Sequence, residues 1–199
     1  MRYSKEHKEE TRSNILDAAL NSFRATGYNG IGVDGIAKAA KVTSGAFYKH
    51  FTSKSEAFRI VVSQGLGILR NAIAESQSSH GEKWLTIFTS WYLSLPEPSD
   101  KCEGDALLPM QGGCALPTLT PEIARTDAET QQLFEDEILK IVKTISVGLP
   151  SHGRNKRRLS WTVLALLIGG VVLARSARSE KTSAEISKSI VASIKQLSE

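Results

Sequence analysis

The sequence predicts an all-α chain. Apolar residues recur at helical spacing along nearly all of its 199 residues, strand-like alternation is almost absent, and caps and glycine stops bracket the periodic stretches. In "TRSNILDAALNSFRATG", Ile15, Ala18, Ala19, Ser22 and Phe23 share one face, with Leu16 and Leu20 beside them. Glu9 and Glu10 suit the positive end of a helix, and Gly27 is a natural stop. The next segment, "VDGIAKAAKV", brings Val33, Ile36, Ala37 and Ala40 onto one face, with small alanines that permit close packing.

"VTSGAFYKHF" follows at once. Thr43 is placed to cap a second short helix, Val42 to plug the turn, and Phe47 and Phe51 to anchor the helix in a core. Its other face carries Ser44, Gly45, Tyr48, Lys49 and His50. Two short helices joined by a tight turn make a helix-turn-helix. "TSKSEAF" then opens another helix, with Ser53 as cap and Glu56 completing a capping box.

Further helices are expected over approximately 54–78, 82–95, 120–148, 155–178 and 183–197. Thr120-Pro121-Glu122 reads as the start of one, with a cap, a proline in the first turn and an early acid. The proline- and glycine-rich stretch 95–117 between helices reads as a long loop or irregular bridge. Two domains are expected: residues 1–53, the helix-turn-helix, and residues 54–199, a larger helical domain.

Charge narrows the partners. Net charge is +4, and through Lys54 there are nine Lys and Arg residues against five acids, so the whole excess lies in the first quarter. A basic module on a neutral body favours a polyanion. Two cysteines, Cys102 and Cys114, are too few for a disulfide scaffold and suit a reducing cytoplasm. The charged opening "MRYSKEHKEETR" argues against a signal peptide. The apolar run Leu159–Ala174 is short for a membrane span and reads as a helix buried in a core or subunit interface, so no membrane partner is expected.

Residues 30–35, "GIGVDG", spell the glycine pattern of a dinucleotide-binding loop. That loop needs a buried strand before it, and a helix precedes it here. No cofactor is expected. The four histidines, His7, His50, His80 and His152, lack metal-ligand spacing, so no metal is expected. There is no Walker loop and no G-x-S-x-G elbow, and no catalytic residue is assigned.

"ILDAALNSFRATGYNGIGVDGIAKAAKVTSGAFYKHFTSKSEAF" resembles the N-terminal DNA-binding domain of TetR-family transcriptional repressors, over about residues 10–58. The combination of G-Y, I-A-x-A-A, G-x-F-Y-x-H-F and S-K at these spacings carries the likeness. The resemblance implies a bacterial, cytoplasmic, non-enzymatic homodimer that binds double-stranded operator DNA and is released by a small-molecule effector. Gly32 stands where the family usually caps the second helix with Thr or Ser, leaving the backbone N–H groups from Val33 on to face a phosphate. Lys41 replaces the usual turn glycine, so a lysine is expected in a left-handed conformation. Tyr48, His50 and Lys54 match phosphate-contacting positions. Thr43, Ser44, Gly45, Ala46 and Lys49 fall at or beside positions that reach base edges; Ala46 would meet a thymine methyl and Lys49 a guanine.

In the second domain, Trp84, Phe88, Trp91 and Tyr92, with Met110 and Cys114, are the candidates for an effector pocket; an aromatic stripe is also ordinary core. Cys114 is either a buried small residue or a reactive thiol that senses electrophiles or oxidants. Trp161, Leu164, Ile168, Gly169, Val172, Ile190 and Ile194 are the candidates for a four-helix dimer interface. The competing reading is a helical ligand- or protein-binding module without operator recognition.

Overall fold

The computed structural model of the protein describes residues 5–94, 114–150 and 155–198. Among these residues the chain is helical, as the periodicity requires: α1 (Lys5–Thr26), α2 (Val33–Ala39), α3 (Ser44–Tyr48), α4 (Lys54–His80), α5 (Trp84–Leu93), α6 (Ala115–Ile123), α7 (Ala128–Gly148), α8 (Lys156–Ser176) and α9 (Glu180–Ser198). A single 3₁₀ turn, Gly81–Lys83, precedes α5.

Two compact units share the chain: Met1–Gly65 with Thr118–Phe134, and Leu66–Pro117 with Glu135–Glu199. The boundary expected at residue 54 is the first residue of α4, whereas the compact units divide inside that helix, after Gly65.

The first unit is built on aromatic anchors. Phe23, Phe47, Phe51 and Phe58 are all fully buried. Phe23 meets Phe58 edge-to-face at 5.0 Å, and Phe47 lies 5.2 Å from Phe51, four residues on along the chain. α1 stops where expected: Gly27 takes φ +74 and its N–H donates to the Phe23 carbonyl at 2.9 Å. α6 and the start of α7 pack into this unit through polar pins. Glu122 accepts from the Tyr28 N–H at 3.1 Å, and Asp127 accepts from the Ser55 hydroxyl at 2.6 Å while Arg59 stands 3.5 Å away.

The expected single helix over 120–148 is two. Proline 121 lies inside α6 rather than at a helix start, where it removes one backbone donor, and the helix ends two residues later. Asp127 then starts α7, accepting from the Thr130 N–H at 2.8 Å. The bonds from Ser55 first, then from the Thr130 N–H, hold the Asp127 carboxyl down to about 2.

In the second unit α5, α8 and α9 pack against one another. The Trp84 indole donates to the Gly148 carbonyl at 2.8 Å, and Gln77 to the Thr144 carbonyl at 2.9 Å, tying the end of α7 down. α8 is 21 residues long, because Lys156–Arg158 and Arg175–Ser176 extend the 16-residue apolar run, and it lies within the helix expected over 155–178. By length and composition it is long enough to cross a bilayer, yet Val163, Leu164, Leu167, Gly170 and Val171 are buried within the unit.

Candidate nucleic-acid interface

The turn between α2 and α3 is held by backbone chemistry. The Val42 N–H donates to the Ala37 carbonyl at 2.9 Å and the Lys41 N–H to the Lys38 carbonyl at 3.1 Å. Both bonds need Lys41 in the left-handed region, and its φ is 57. This is the Schellman arrangement, with lysine where glycine is the low-strain residue. Thr43 caps α3, its hydroxyl accepting from the Ala46 N–H at 3.1 Å. Gly32 caps α2 from extended backbone without a side-chain bond, leaving the first amides of the helix, from the half-buried Val33 on, open to solvent or an anion.

α3 buries Phe47 and exposes what surrounds it. Tyr48 is 57% exposed, Gly45 and Lys49 are exposed, and Ala46 is half-buried. A Cβ on Gly45 would meet only the Thr43 hydroxyl, at 3.8 Å, so among the described residues nothing is packed against this glycine. Ser44 donates its hydroxyl to Asp34, which commits the proton but leaves the oxygen lone pairs free to accept.

Cations from another helix join this face. Burial first, and then Lys8, Arg12 and Lys49, push the His50 imidazole below its ordinary 6.5. Its Nδ1 is buried and, among the described residues, has no hydrogen-bond partner. Arg12 also lies over the Phe51 ring at 5.2 Å. The first helix therefore contributes positive charge beside α3, and Lys8 and Arg12 join the candidate contacts. Sequence reasoning missed both, because they stand some forty residues from His50 and no local pattern links them.

Lys54 is turned the other way. The phosphate contact expected of it is not what its ammonium makes: Nζ donates to the Tyr28 carbonyl at 2.9 Å and the Ile31 carbonyl at 3.1 Å, and sits 4.2 Å from the Tyr28 ring centroid. Two of three donors are engaged in bracing the α1–α2 corner. The capping box is corrected as well. Ser53 does cap α4, accepting from the Glu56 N–H at 3.0 Å, but Glu56 reaches back to the Thr52 N–H (2.6 Å) and hydroxyl (2.7 Å). Those Thr52 bonds hold the Glu56 carboxyl below its usual range.

Of the residues expected to line an effector pocket, Trp84, Phe88 and Tyr92 are buried together on α5, with Phe88 stacked on Tyr92 at 5.8 Å, and Trp91 is half-buried 5.4 Å from Phe88. Cys114 is buried and adjoins the Tyr92 hydroxyl. Met110 and Cys102 lie outside the described residues.

The expected dimer set separates into two groups. Leu164 and Ile194, at 2% and 0% exposed, are spent inside the unit. Trp161 and Val172 are exposed, and Gly169, Ile168 and Ile190 are half-buried. Gly170 also faces inward: a Cβ there would meet Leu93 at 3.0 Å and Ile190 at 3.2 Å, whereas one on Gly169 meets nothing within 4 Å.

Residues 15–59 match the family model described as "Bacterial regulatory proteins, tetR family". The helix-turn-helix segment of the chain is thus similar to the regulatory proteins of the tetR family. A stretch of 57 residues is 47% identical to the HTH-type transcriptional regulator AcrR of Shigella flexneri, spanning 29% of this chain and 26% of that protein. The match thus spans about a quarter of that relative's length. Among solved structures, Escherichia coli NemR in its reduced form aligns with a TM-score of 0.77 at 17% identity, over 94% of this chain and 96% of that one. Bacillus subtilis FadR in complex with stearoyl-CoA aligns with a TM-score of 0.67 at 17% identity, over 90% and 97%. At these identities the structures show the fold alone: a helix-turn-helix followed by an all-α C-terminal part.

Proposed function

We propose that this protein is a homodimeric transcriptional repressor of the tetR type that binds operator DNA through α3 and is released by a small-molecule effector. One observation carries the reading: an exposed α3 face of Gly45, Tyr48 and Lys49, beside the cations Lys8 and Arg12. A five-residue helix cleared by Gly45 and Ala46 fits a major groove, where Lys49 donates to guanine and Ala46 meets a thymine methyl. Tyr48, His50 and the amides at the start of α2 serve phosphates, which orient rather than specify.

The dimer is proposed along α8, where Trp161, Gly169, Val172 and Leu173 present an apolar stripe to solvent. Two recognition helices must lie about 34–36 Å apart to enter successive major grooves. An effector therefore needs to favour only a spacing that misses them. The second unit is proposed as the effector's domain, with Trp91 at its site; that FadR was crystallised with stearoyl-CoA supports a fold able to take a ligand. Action is placed in the bacterial cytoplasm.

The test is a gel-shift series on DNA flanking the protein's own gene, over a range of salt concentrations. The reading expects a preference over random DNA of at least about 10³-fold and a steep salt dependence. Equal, weak binding to both favours instead a helical module that lacks operator recognition.

A further inference from the structure

Two buried hydroxyl groups of the second unit lack an oxygen or nitrogen partner. Thr89 and Tyr92 stand one turn apart on α5 and are 0% and 1% exposed. Among the described residues, Thr89 Oγ1 has no hydrogen-bond partner, and no nitrogen or oxygen pairs with the Tyr92 hydroxyl. A buried hydroxyl left this way destabilises a fold, and a helical threonine or serine ordinarily avoids it by donating to a carbonyl one turn back. The neighbours on the same helix do so. Ser90 donates to the Thr86 carbonyl at 3.0 Å and Ser94, at its end, to the Trp91 carbonyl at 2.8 Å. Thr89 is held off its own local acceptor.

The two groups share one chemistry. The Tyr92 ring is fixed by its stack on Phe88, and its hydroxyl donates to the Cys114 sulfur, a weak acceptor. Burial keeps the phenol protonated far above its ordinary range, so at any neutral pH it has a proton to give. The Arg175 guanidinium is close enough to favour negative charge at that point. Among the described residues, neither hydroxyl has an oxygen or nitrogen acceptor. Phe88, stacked on Tyr92, also meets Trp91 at 5.4 Å, so the same helix carries an apolar aromatic face.

We propose that Thr89 and Tyr92 are the polar end of the effector site, and that the effector is an apolar molecule ending in a carboxylate or carbonyl oxygen. The inference rests on reading the second unit as the effector domain, and it deepens that reading by naming the ligand's chemical class. The oxygen takes both hydroxyl protons; the apolar body lies along the aromatic face of α5. In the absence of ligand the Thr89 hydroxyl is unmet and that of Tyr92 has only a weak sulfur acceptor, and binding supplies both with an oxygen.

Two probes with one tail and opposite heads test this on the full-length protein. Decanoate only accepts hydrogen bonds, and decylammonium only donates them. Titrated against Trp fluorescence, decanoate is expected to bind at least about 10-fold tighter than decylammonium, and to lose about 10-fold in Thr89→Val and again in Tyr92→Phe. Equal affinity for both heads, or decanoate binding unchanged in both variants, overturns the proposal. Failure of wild-type protein to bind either probe overturns it too; release of operator by some other compound, lost in Trp91→Ala, would then leave the effector-domain reading standing. Melting of the ligand-free variants supplies an independent readout. Removal of orphan hydroxyls leaves Tm unchanged or raises it, whereas a fall of more than about 3 °C in both variants assigns the hydroxyls to bonds within the fold and overturns the proposal.

Discussion

Lys54 holds the Tyr28 peptide from one side while its ammonium rests 4.2 Å from the centroid of the Tyr28 ring. The N–H of the same residue donates to Glu122. One corner of the chain is thus gripped by an ammonium from α4 and a carboxylate from α6. Lys54→Ala is expected to destabilise the protein by about 2 kcal/mol, since two charge-assisted bonds and a cation–π contact are lost together. The salt dependence of DNA binding should barely change. If instead the salt slope falls by a full unit while Tm holds, the lysine serves a phosphate and not the corner.

Arg12 and Lys8 should behave in the opposite way. Both belong to a helix whose N-terminal turns are solvent-exposed, and both act on His50 beside α3. Arg12→Ala and Lys8→Ala are expected to weaken binding to operator and random DNA alike, each flattening the salt slope by about one unit. Lys49→Ala should cost discrimination instead, about 1–3 kcal/mol at particular base pairs. Identical profiles for all three variants would refute the division.

Operator binding should strengthen as pH falls. In the free protein burial and three neighbouring cations hold His50 below 6.5, so it is neutral near pH 7. A phosphate raises that pKa, so the complex takes up a proton, and affinity grows as pH falls through the raised value toward that of the free protein, by at most tenfold per unit. Stability of the free protein moves the other way. With the folded pKa below the unfolded one, His50's contribution is complete above 6.5 and is lost as pH falls through the folded value. Binding isotherms of wild type and His50→Gln at fixed ionic strength check this; a pH slope that survives in the variant rejects the histidine.

Adjacent glycines on α8 should fail differently. Gly170→Glu forces a carboxylate against Leu93 and Ile190, so misfolding or aggregation is the expected outcome. Gly169→Glu and Val172→Glu point away from the unit and should give a folded monomer without operator binding. Sedimentation with circular dichroism separates the two, and a dimeric Val172→Glu protein would remove α8 from the interface.

Cys114→Ser should leave effector release intact, because a thiol at 4% exposure beside a protonated phenol is poorly placed to react. A variant locked on DNA, with wild type released by thiol reagents, would establish the covalent sensor instead.

What could be read from the sequence was local. The stop at Gly27, the Thr43 cap and the Phe47–Phe51 anchor are each set by residues within a few positions of one another, and each is found in the structure. Pro121 misled because proline is tolerated in a first turn and also, as here, a turn later in a short helix. Gly169 and Gly170 lie about 100° apart on the helix, so only their packing partners tell which one faces outward. Lys54 sits at a helix start beside exposed residues, and nothing nearby reveals that two carbonyls from the α1–α2 corner wait for it. Thr89 reads as a neutral residue in an apolar helix; its unmet hydroxyl is visible only once its neighbours' bonds are placed.

Lys41 closes the turn in a conformation that L side chains adopt at a cost of roughly 1 kcal/mol. Its side chain is exposed. Glycine there would relieve that strain and give part of the gain back through the greater freedom of the unfolded chain. It would also remove a positive charge from the quarter of the sequence where all the net charge resides. The turn therefore trades heat resistance against attraction for a polyanion, at a position that touches no core residue's identity. An engineer or a lineage can move along that exchange with one substitution.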